Sequence, residues 1–153
     1  MNKEFKQLAE EMPELLRKLK SGHPRKMDNL GQIPQKGVYV FYENGKPLYV
    51  GRSNTVKKRL KQHSYESSKH YSAQFAYKLA NEMYKEKSGS TERVTRKDRE
   101  QTLRNEGFMP NAITRIKQMD ILVVEIEDQP KQALFELYAV VALKPKYNDL
   151  STH

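Results

Sequence analysis

The sequence contains no cysteine among its 153 residues, which excludes disulfide bonds and thiolate metal sites. It also contains no apolar run long enough to span a membrane, and no signal peptide is recognisable. The four histidines lack the spacing of a zinc site; they are His23, His63, His70 and His153. We therefore expect a soluble, cytoplasmic protein without membrane contact. The length favours a single domain over residues 1–153.

Positive charge is in excess. The chain carries 28 Lys and Arg against 19 Asp and Glu, a formal net charge of +9. Such a surface attracts polyanions, above all nucleic acid, although charge alone also fits a basic protein that is merely soluble. Residues 37–63 carry six basic side chains and one acidic one, whereas residues 119–153 carry three basic and six acidic. The basic surplus therefore lies over residues 37–63 and away from the C-terminus.

Hydrophobic periodicity predicts the helices and strands of an α+β protein. The predicted elements are a helix over 3–20 within an N-terminal extension 1–30, strands over 37–42 and 47–51, helices over 55–64, 72–86 and 96–106, a strand over 120–127 and a helix over 130–143. Pro13 interrupts the first helix and predicts a kink or two short helices. We interpret its apolar stripe as core packing rather than as a surface for a partner.

The two strands near residue 44 form a predicted hairpin whose loop length decides which side chains share a face. A two-residue Asn-Gly loop would place Tyr39 and Tyr49 on opposite faces. A three-residue loop, with Gly45 in a left-handed bulge, pairs Tyr39 directly with Tyr49. It also collects apolar side chains on the other face, namely Val38, Val40, Leu48 and Val50. We predict the three-residue loop.

The helix predicted over 55–64 is strongly basic. Val56 and Leu60 define its buried face, and Arg59 and His63 border that face. Arg59 is therefore expected near the sheet. The remaining basic side chains are expected to point into solvent or towards a nucleic-acid backbone; they are Lys57, Lys58 and Lys61.

Residues 64–118 form a helical segment in which aromatic and basic residues alternate. Tyrosines interleaved with Lys and Arg suit stacking on nucleic-acid bases. Packing within the segment's own small core is an equally good interpretation. The residues concerned are Tyr65, Tyr71, Tyr77 and Tyr84.

Several of these side chains match the needs of phosphodiester hydrolysis. An arginine suits the non-bridging phosphate oxygens because its fork matches their geometry. A tyrosine can orient or deprotonate the attacking water if nearby positive charge lowers its pKa. A carboxylate can hold a divalent cation, and Glu136 is available for that role within a largely apolar helix. A salt bridge or an exposed position is the alternative explanation for this acid.

Taken together, these motifs resemble the GIY-YIG nuclease family. Gly37-Val38-Tyr39 corresponds to the first triplet of the family and Tyr49-Val50-Gly51 to the second. The other matching positions are Arg59 and His63 on the following helix, Glu136, and Asn148 near the end of the domain. The resemblance covers roughly residues 30–63 and 119–149. Residues 64–118 depart from it as an extra helical insert.

The resemblance implies a small three-stranded antiparallel sheet flanked by helices, and hydrolysis of DNA with one divalent cation. Glu136 would bind Mg²⁺ or Mn²⁺, and Arg59 would stabilise the phosphoryl transition state. Tyr39 and Tyr49 would lie beside the attacking water. One of them would serve as general base, and either tyrosine could be that base. His63 would assist proton transfer or bind phosphate.

The remaining implied roles concern support and nucleic-acid binding. Asn148 would fix the architecture of the site, with Gly37 and Gly51 in supporting positions. Four basic residues would contact DNA: Arg52, Lys57, Lys58 and Lys61. The main prediction is a DNA endonuclease that acts as a monomer or as a dimer on DNA. Two other functions are alternatives to it. One is a catalytically inactive nucleic-acid-binding module, and the other is a nuclease selective for DNA or RNA structure.

Overall fold

The computed structural model describes residues 1–65 and 74–151 and has an α+β architecture. In chain order the elements are α1 Lys3–Ser21, β1 Gly37–Glu43, β2 Lys46–Ser53, α2 Val56–His63, α3 Gln74–Ser88, α4 Arg96–Asn105, α5 Phe108–Lys117, β3 Asp120–Glu125 and α6 Gln129–Leu143. The strands form one antiparallel sheet in the order β2-β1-β3. The predicted fold class, a three-stranded antiparallel sheet with flanking helices, is thereby confirmed.

The chain divides into two compact units. We call Met1–Arg59 together with Met119–His153 the sheet unit, and Leu60–Gln118 the helical unit. The insert predicted at 64–118 lies within the helical unit. The assignment of one domain to residues 1–153 stays a prediction. In the part of the chain that the structure describes, none of the helices is both long and apolar enough to cross a membrane.

The core of the sheet unit lies between the sheet and two helices. α1 and α6 contact each other and pack against the strands. Side chains from all these elements are buried together: Met12, Leu19, Val38, Val40, Val50, Leu122, Val124, Ile126, Phe135, Ala139 and Val140. Full burial of one large apolar side chain contributes about 1.5–3 kcal/mol. The apolar stripe of α1 therefore packs in the core as predicted, although Pro13 lies within one continuous helix rather than between two.

The predicted three-residue hairpin loop is wrong. Asn44 and Gly45 form a two-residue turn with φ values of 52° and 77°, and Glu43 pairs with Lys46 across it. Positive φ at both positions is the requirement of a type I′ turn, whose twist matches that of the strands. The predicted pairing of Tyr39 with Tyr49 is also wrong, because Tyr39 pairs with Gly51 after a register shift further along the hairpin.

A bulge on β2 causes that shift. Phe41 pairs with Tyr49 but Tyr42 pairs with Pro47, so Leu48 is an extra residue on β2. One added residue moves every later side chain of β2 to the other face. Tyr49 therefore shares a face with Phe41 and with Tyr39, which the structure pairs with Gly51. The predicted common face of the two tyrosines is right, although a bulge and not the loop produces it.

The helical unit is built from α3, α4 and α5, which contact one another. Its buried apolar side chains include Phe75, Leu79, Leu103, Met109, Ile113 and Ile116. The Arg96 guanidinium lies 4.4 Å from the ring centre of Tyr77, and that of Arg99 lies 4.7 Å from Tyr84. Arginines of the unit thus already cover two of the tyrosines considered for base stacking. Tyr65 is exposed, and Tyr71 lies outside the described residues.

Candidate active site

Two neighbouring strands bring the Gly37-Val38-Tyr39 and Tyr49-Val50-Gly51 triplets side by side. Tyr39, in the central strand β1, is 1% exposed, and Tyr49 in β2 is half-buried. The ring of Tyr39 lies over Gly51, where an added Cβ would overlap the tyrosine hydroxyl group. At Gly37 a Cβ would overlap the backbone carbonyl of Val124 in β3. Both glycines therefore allow a close approach that any side chain would prevent.

Arg59 connects α2 to these tyrosines. α2 buries Val56 completely and leaves the Arg59 side chain half-buried. The guanidinium hydrogen-bonds to the hydroxyl of Tyr39, and because arginine has only donors, the tyrosine oxygen accepts. The charge of Arg59 also acts to lower the pKa of both Tyr39 and Tyr49. The sequence placed Arg59 near the sheet, and the structure agrees.

Burial nevertheless raises the pKa of both tyrosines above the ordinary value. Loss of hydration disfavours the phenolate and outweighs the charge of Arg59, which acts in the opposite direction. The negative charge of Glu136 raises both pKa values further. Tyr39 and Tyr49 are therefore neutral phenols near pH 7 in the protein alone. The lowered pKa that the sequence interpretation requires does not arise from the protein's own charges.

Glu136 extends from α6, and its side chain is 35% exposed. Burial raises the pKa of its carboxyl group, and Arg52 partly offsets this increase. The Nε atom of Arg52 lies 3.7 Å from Oε1 of Glu136. The carboxylate makes no hydrogen bond to any residue that the structure describes. An accessible carboxylate with unused acceptor sites can take up a cation.

The donor set suits one hydrated hard cation. Within residues 1–65 and 74–151, no group of three or more His, Cys, Asp or Glu side chains could hold a metal ion. Mg²⁺ usually keeps several of its waters and binds one or two carboxylates together with phosphate oxygens. A single glutamate open to solvent fits that mode and does not fit a cage made only of protein ligands.

Asn148 fixes the outer edge of β2. Its Oδ1 accepts a hydrogen bond from the Val50 N–H at 2.8 Å, and its Nδ2 donates to the Val50 carbonyl at 2.9 Å. The backbone N–H of Tyr147 donates to the carbonyl of the bulge residue Leu48 at 2.9 Å. The C-terminal segment thus satisfies the strand edge that carries Tyr49 and Gly51.

The other basic residues predicted for the site are distributed more widely. Lys57 and Lys58 are exposed on α2, as predicted, and the Lys57 ammonium donates to the Gly31 carbonyl at 3.0 Å. Lys61 is exposed and belongs to the helical unit. His63 belongs to the same unit but is fully buried, whereas the sequence predicted a position at the border of the buried face.

His63 packs against an aromatic side chain of the helical unit. Its ring packs edge-on against Phe75, with 6.3 Å between the ring centres. This contact places the imidazole inside the helical unit. A role of His63 in proton transfer or phosphate binding stays a prediction.

Sequence reasoning missed a chain of amide side chains beside Glu136. Gln132 lies one helical turn before Glu136 on α6 and is 1% exposed. Its Oε1 accepts a hydrogen bond from Nη1 of Arg52 at 3.3 Å. Its Nε2 donates to the Ile126 carbonyl at 3.0 Å and to Oδ1 of Asn54 at 3.3 Å. A glutamine four residues before an acid in an apolar helix was the only signal in the sequence.

Comparison with known proteins agrees with this geometry. The profile of the GIY-YIG catalytic domain matches residues 35–148. The match spans β1, β2, α2 and α6, and it includes Asn148. Neither the curated proteins nor the solved structures contain a significant match to the chain.

Proposed function

The chain belongs to the GIY-YIG catalytic domain family, a family of nucleases, and we propose that it is an endonuclease that hydrolyses DNA with one divalent cation. The observation that carries this proposal is the convergence of Tyr39, Tyr49, Arg59 and Glu136. The pKa of Tyr39 responds to the charges of Arg59 and Glu136 and to Tyr49, so these three groups lie within electrostatic reach of Tyr39. A phosphodiester placed among them would meet the guanidinium of Arg59, the phenols of Tyr39 and Tyr49, and the carboxylate of Glu136.

Arg59 stabilises the transition state in this mechanism. Negative charge builds up on the non-bridging phosphate oxygens as water attacks. The fixed, half-buried guanidinium offers paired N–H donors in a geometry that matches those oxygens. Its hydrogen bond to Tyr39 holds it in place before DNA arrives. Preorganised charge of this kind needs little rearrangement during the reaction.

The two tyrosines enter the reaction as neutral phenols. The Tyr39 oxygen accepts from Arg59, and in this role its O–H would donate to the attacking water or to a phosphate oxygen. Tyr49 is the more exposed of the two and is more accessible to water. Either phenol can act as general base only if its raised pKa falls when the substrate complex forms.

Glu136 is the proposed ligand of the cation. Magnesium or manganese bound there would add positive charge to stabilise the phosphate and would lower the pKa of nearby acids. The carboxylate is accessible, makes no hydrogen bond to the described residues and lies on α6. Waters and phosphate oxygens would supply the remaining ligands in this assignment.

Basic side chains outside the reacting centre are proposed to hold the DNA backbone. Lys57, Lys58 and Lys61 are exposed on α2, and Arg52 is 38% exposed at the end of β2. Each phosphate contact releases counterions from DNA. We expect the affinity to fall as salt rises, and an affinity independent of salt would contradict this role.

A cleavage assay tests the proposal. Plasmid DNA, a branched duplex and RNA are incubated with the full chain in Mg²⁺, in Mn²⁺ or in EDTA. We expect cleavage of DNA only with metal. Glu136→Ala should abolish the cleavage while DNA binding persists, whereas Glu125→Ala, a change of an exposed acid at the end of β3, should have no effect.

The possible results separate the alternatives. Metal-dependent cutting of plasmid DNA supports the endonuclease. Cutting of the branched duplex or of RNA alone would replace it with a structure-selective nuclease. Tight DNA binding without cleavage in either metal would replace it with a binding module. Wild-type rates from Glu136→Ala would overturn the assignment of the metal ligand.

A further inference from the structure

We propose that Gln132 is a positioning residue that keeps the guanidinium of Arg52 from closing onto the carboxylate of Glu136. The inference rests on the proposed function, because it concerns the availability of Glu136 to a cation. Gln132 and Glu136 lie one turn apart on α6, and Arg52 reaches both from the end of β2.

The guanidinium of Arg52 lies near two acceptors, the amide of Gln132 and the carboxylate of Glu136. Nη1 of Arg52 donates to Oε1 of Gln132 at 3.3 Å, whereas Nε of Arg52 lies 3.7 Å from Oε1 of Glu136. Charge-assisted hydrogen bonds between N–H and carboxylate are about 2.7–2.9 Å long. At 3.7 Å the ion pair between Arg52 and Glu136 therefore lacks a hydrogen bond, although opposite charges at this distance attract each other. The neutral amide oxygen is the acceptor that Arg52 uses.

The orientation of the Gln132 amide follows from its partners. The Ile126 carbonyl can only accept, so the amide nitrogen must face it, at 3.0 Å. The amide oxygen is then directed towards Arg52, which can only donate. A flipped amide would set oxygen against oxygen and nitrogen against nitrogen. Because Gln132 is 1% exposed, water cannot replace these partners at low cost.

Asn54 and Gln129 support this arrangement from the surface side. Oδ1 of Asn54 accepts from Nε2 of Gln132 at 3.3 Å and from Nε2 of Gln129 at 2.7 Å. Nδ2 of Asn54 donates in return to Oε1 of Gln129 at 3.1 Å. The chain of amides thus links the segment after β2 to the first turns of α6. Arg52 is the member of this chain that faces Glu136.

The consequence concerns competition between two cations. Arg52 and a divalent metal would both bind the Glu136 carboxylate, and an arginine closed onto it would have to be displaced first. With Gln132 present, Arg52 has another acceptor and leaves the carboxylate open. With Gln132 removed, Glu136 becomes the nearest strong acceptor for Arg52. Metal binding should then weaken.

The test uses Gln132→Met, which keeps an unbranched side chain of similar length but removes the acceptor. Mn²⁺ binding to the metal-free full chain is measured by titration calorimetry. We expect the dissociation constant to rise roughly tenfold, as is typical when an outer partner of a metal site is lost. Gln129→Met is the matched control, because it makes the same change in the same chain of amides without a contact to Arg52. Its effect should be smaller than about twofold.

A double variant shows whether the effect passes through Arg52. In the Arg52→Ala background, Gln132→Met should leave the Mn²⁺ affinity unchanged within about twofold. An equal loss in both backgrounds would overturn the proposal, because Gln132 would then act on the fold and not on Arg52. An unchanged affinity after the single substitution would overturn it as well.

A second measurement does not depend on metal. The Nε–H resonance of Arg52 in a ¹⁵N NMR spectrum reports the environment of the guanidinium, and Gln132→Met should shift it while Gln129→Met does not. If the signal stays in place, the positioning role is wrong even where the nuclease is real. If wild type binds no Mn²⁺ but the signal shifts, the proposed function fails and the positioning role stands.

Thermal unfolding accompanies these measurements, because Gln132 is buried. Should Gln132→Met fail to fold, Asn54→Ala removes one of the two anchors of the amide nitrogen at an exposed position. It should weaken Mn²⁺ binding in the same direction but less, and only while Arg52 is present. An effect that persists without Arg52 would again overturn the proposal.

Discussion

The ring of Tyr39 lies against the α-carbon of Gly51, the residue directly opposite it on the neighbouring strand. A Cβ at Gly51 would overlap the tyrosine hydroxyl oxygen and the ring carbon that carries it. Phe41 packs edge-on against the same ring, with 5.9 Å between the ring centres. The ring is therefore confined, and its hydroxyl is directed by the absence of a side chain on the partner strand.

Gly51→Ala should consequently damage both stability and activity. The new methyl group must displace a buried ring, and such overpacking costs about 1–3 kcal/mol. Displacement of Tyr39 would also disturb its hydrogen bond to Arg59. Chemical denaturation and the cleavage rate measure the two effects. In a Tyr39→Phe background the stability loss should shrink, since one of the overlapping atoms is gone. A loss of the same size there would mean that the overlap with the hydroxyl is not the cause.

Asn148→Ala should destabilise the edge of β2. The substitution removes the partners of the Val50 N–H and carbonyl, and Val50 is 1% exposed. Buried backbone groups left without partners cost about 1–3 kcal/mol each, reduced where water enters. Asn148→Asp should be no better, because a carboxylate can accept from the N–H but faces the carbonyl with negative charge. Leu150→Ala, two residues later and 62% exposed, is the control and should leave the free energy of unfolding unchanged.

Local patterns predicted most of the sheet unit, and the errors have physical reasons. β1 and α6 follow from β-branched and apolar runs with clear periods. The prediction of a three-residue hairpin loop was wrong because Asn44-Gly45 forms a two-residue turn, for which this dipeptide is a strong signal. The bulge at Leu48 was not predicted because it has no signature in the sequence. The face shared by Tyr39 and Tyr49 was predicted correctly because the bulge adds one residue, as the longer loop would have done.

Properties that depend on burial could not be predicted in the same way. A tyrosine base was expected to need nearby positive charge to lower its pKa, but desolvation in the folded chain has the larger effect. His63 was expected at the border of a helix face and is fully buried. The amide contacts of Gln132 join residues about eighty positions apart, and no local pattern reveals such a pair. α5 was missed because Pro110 falls in its first turn, where proline is tolerated.

Glu136→Gln should stabilise the metal-free protein near neutral pH. Burial raises the pKa of Glu136 in the folded chain, so the charged form is less favourable in the folded state than in the unfolded state, and the penalty grows as the pH rises above the unfolded pKa. The penalty is fully present above the raised pKa and vanishes below the unfolded value of about 4.3. The variant should therefore unfold at a higher temperature than wild type at pH 7, and the difference should disappear as the pH falls to about 4.

Glu125→Gln is the matched control for this measurement, because it makes the same change at an exposed acid at the end of β3. Its unfolding temperature should follow that of wild type across the pH range. If Glu136→Gln were instead less stable than wild type at pH 7, the attraction of Arg52 would outweigh the cost of burial. A gain in stability when the Glu136 charge is removed is expected of a functional carboxylate, since function and stability place opposite demands on it.

Arg59→Ala should lower turnover far more than Lys57→Ala, although both remove one positive charge from α2. Arg59 is half-buried and contacts Tyr39, whereas Lys57 is exposed and bonds only to the Gly31 carbonyl among the contacts described. Loss of a preorganised donor to a transition-state oxygen costs about 10²–10³-fold in rate. Loss of a phosphate-contacting lysine weakens binding instead and reduces the salt dependence of the affinity by about one unit of slope.

Single-turnover cleavage at saturating DNA separates these effects, because differences in affinity no longer contribute to the rate. Arg59→Lys adds a further distinction: it keeps the charge but loses the planar fork, so it should recover only part of the rate. Full recovery would mean that charge alone is needed. Equal loss from Arg59→Ala and Lys57→Ala would mean that α2 contributes only a general positive field, and Arg59 would then have no special place at the reacting phosphate.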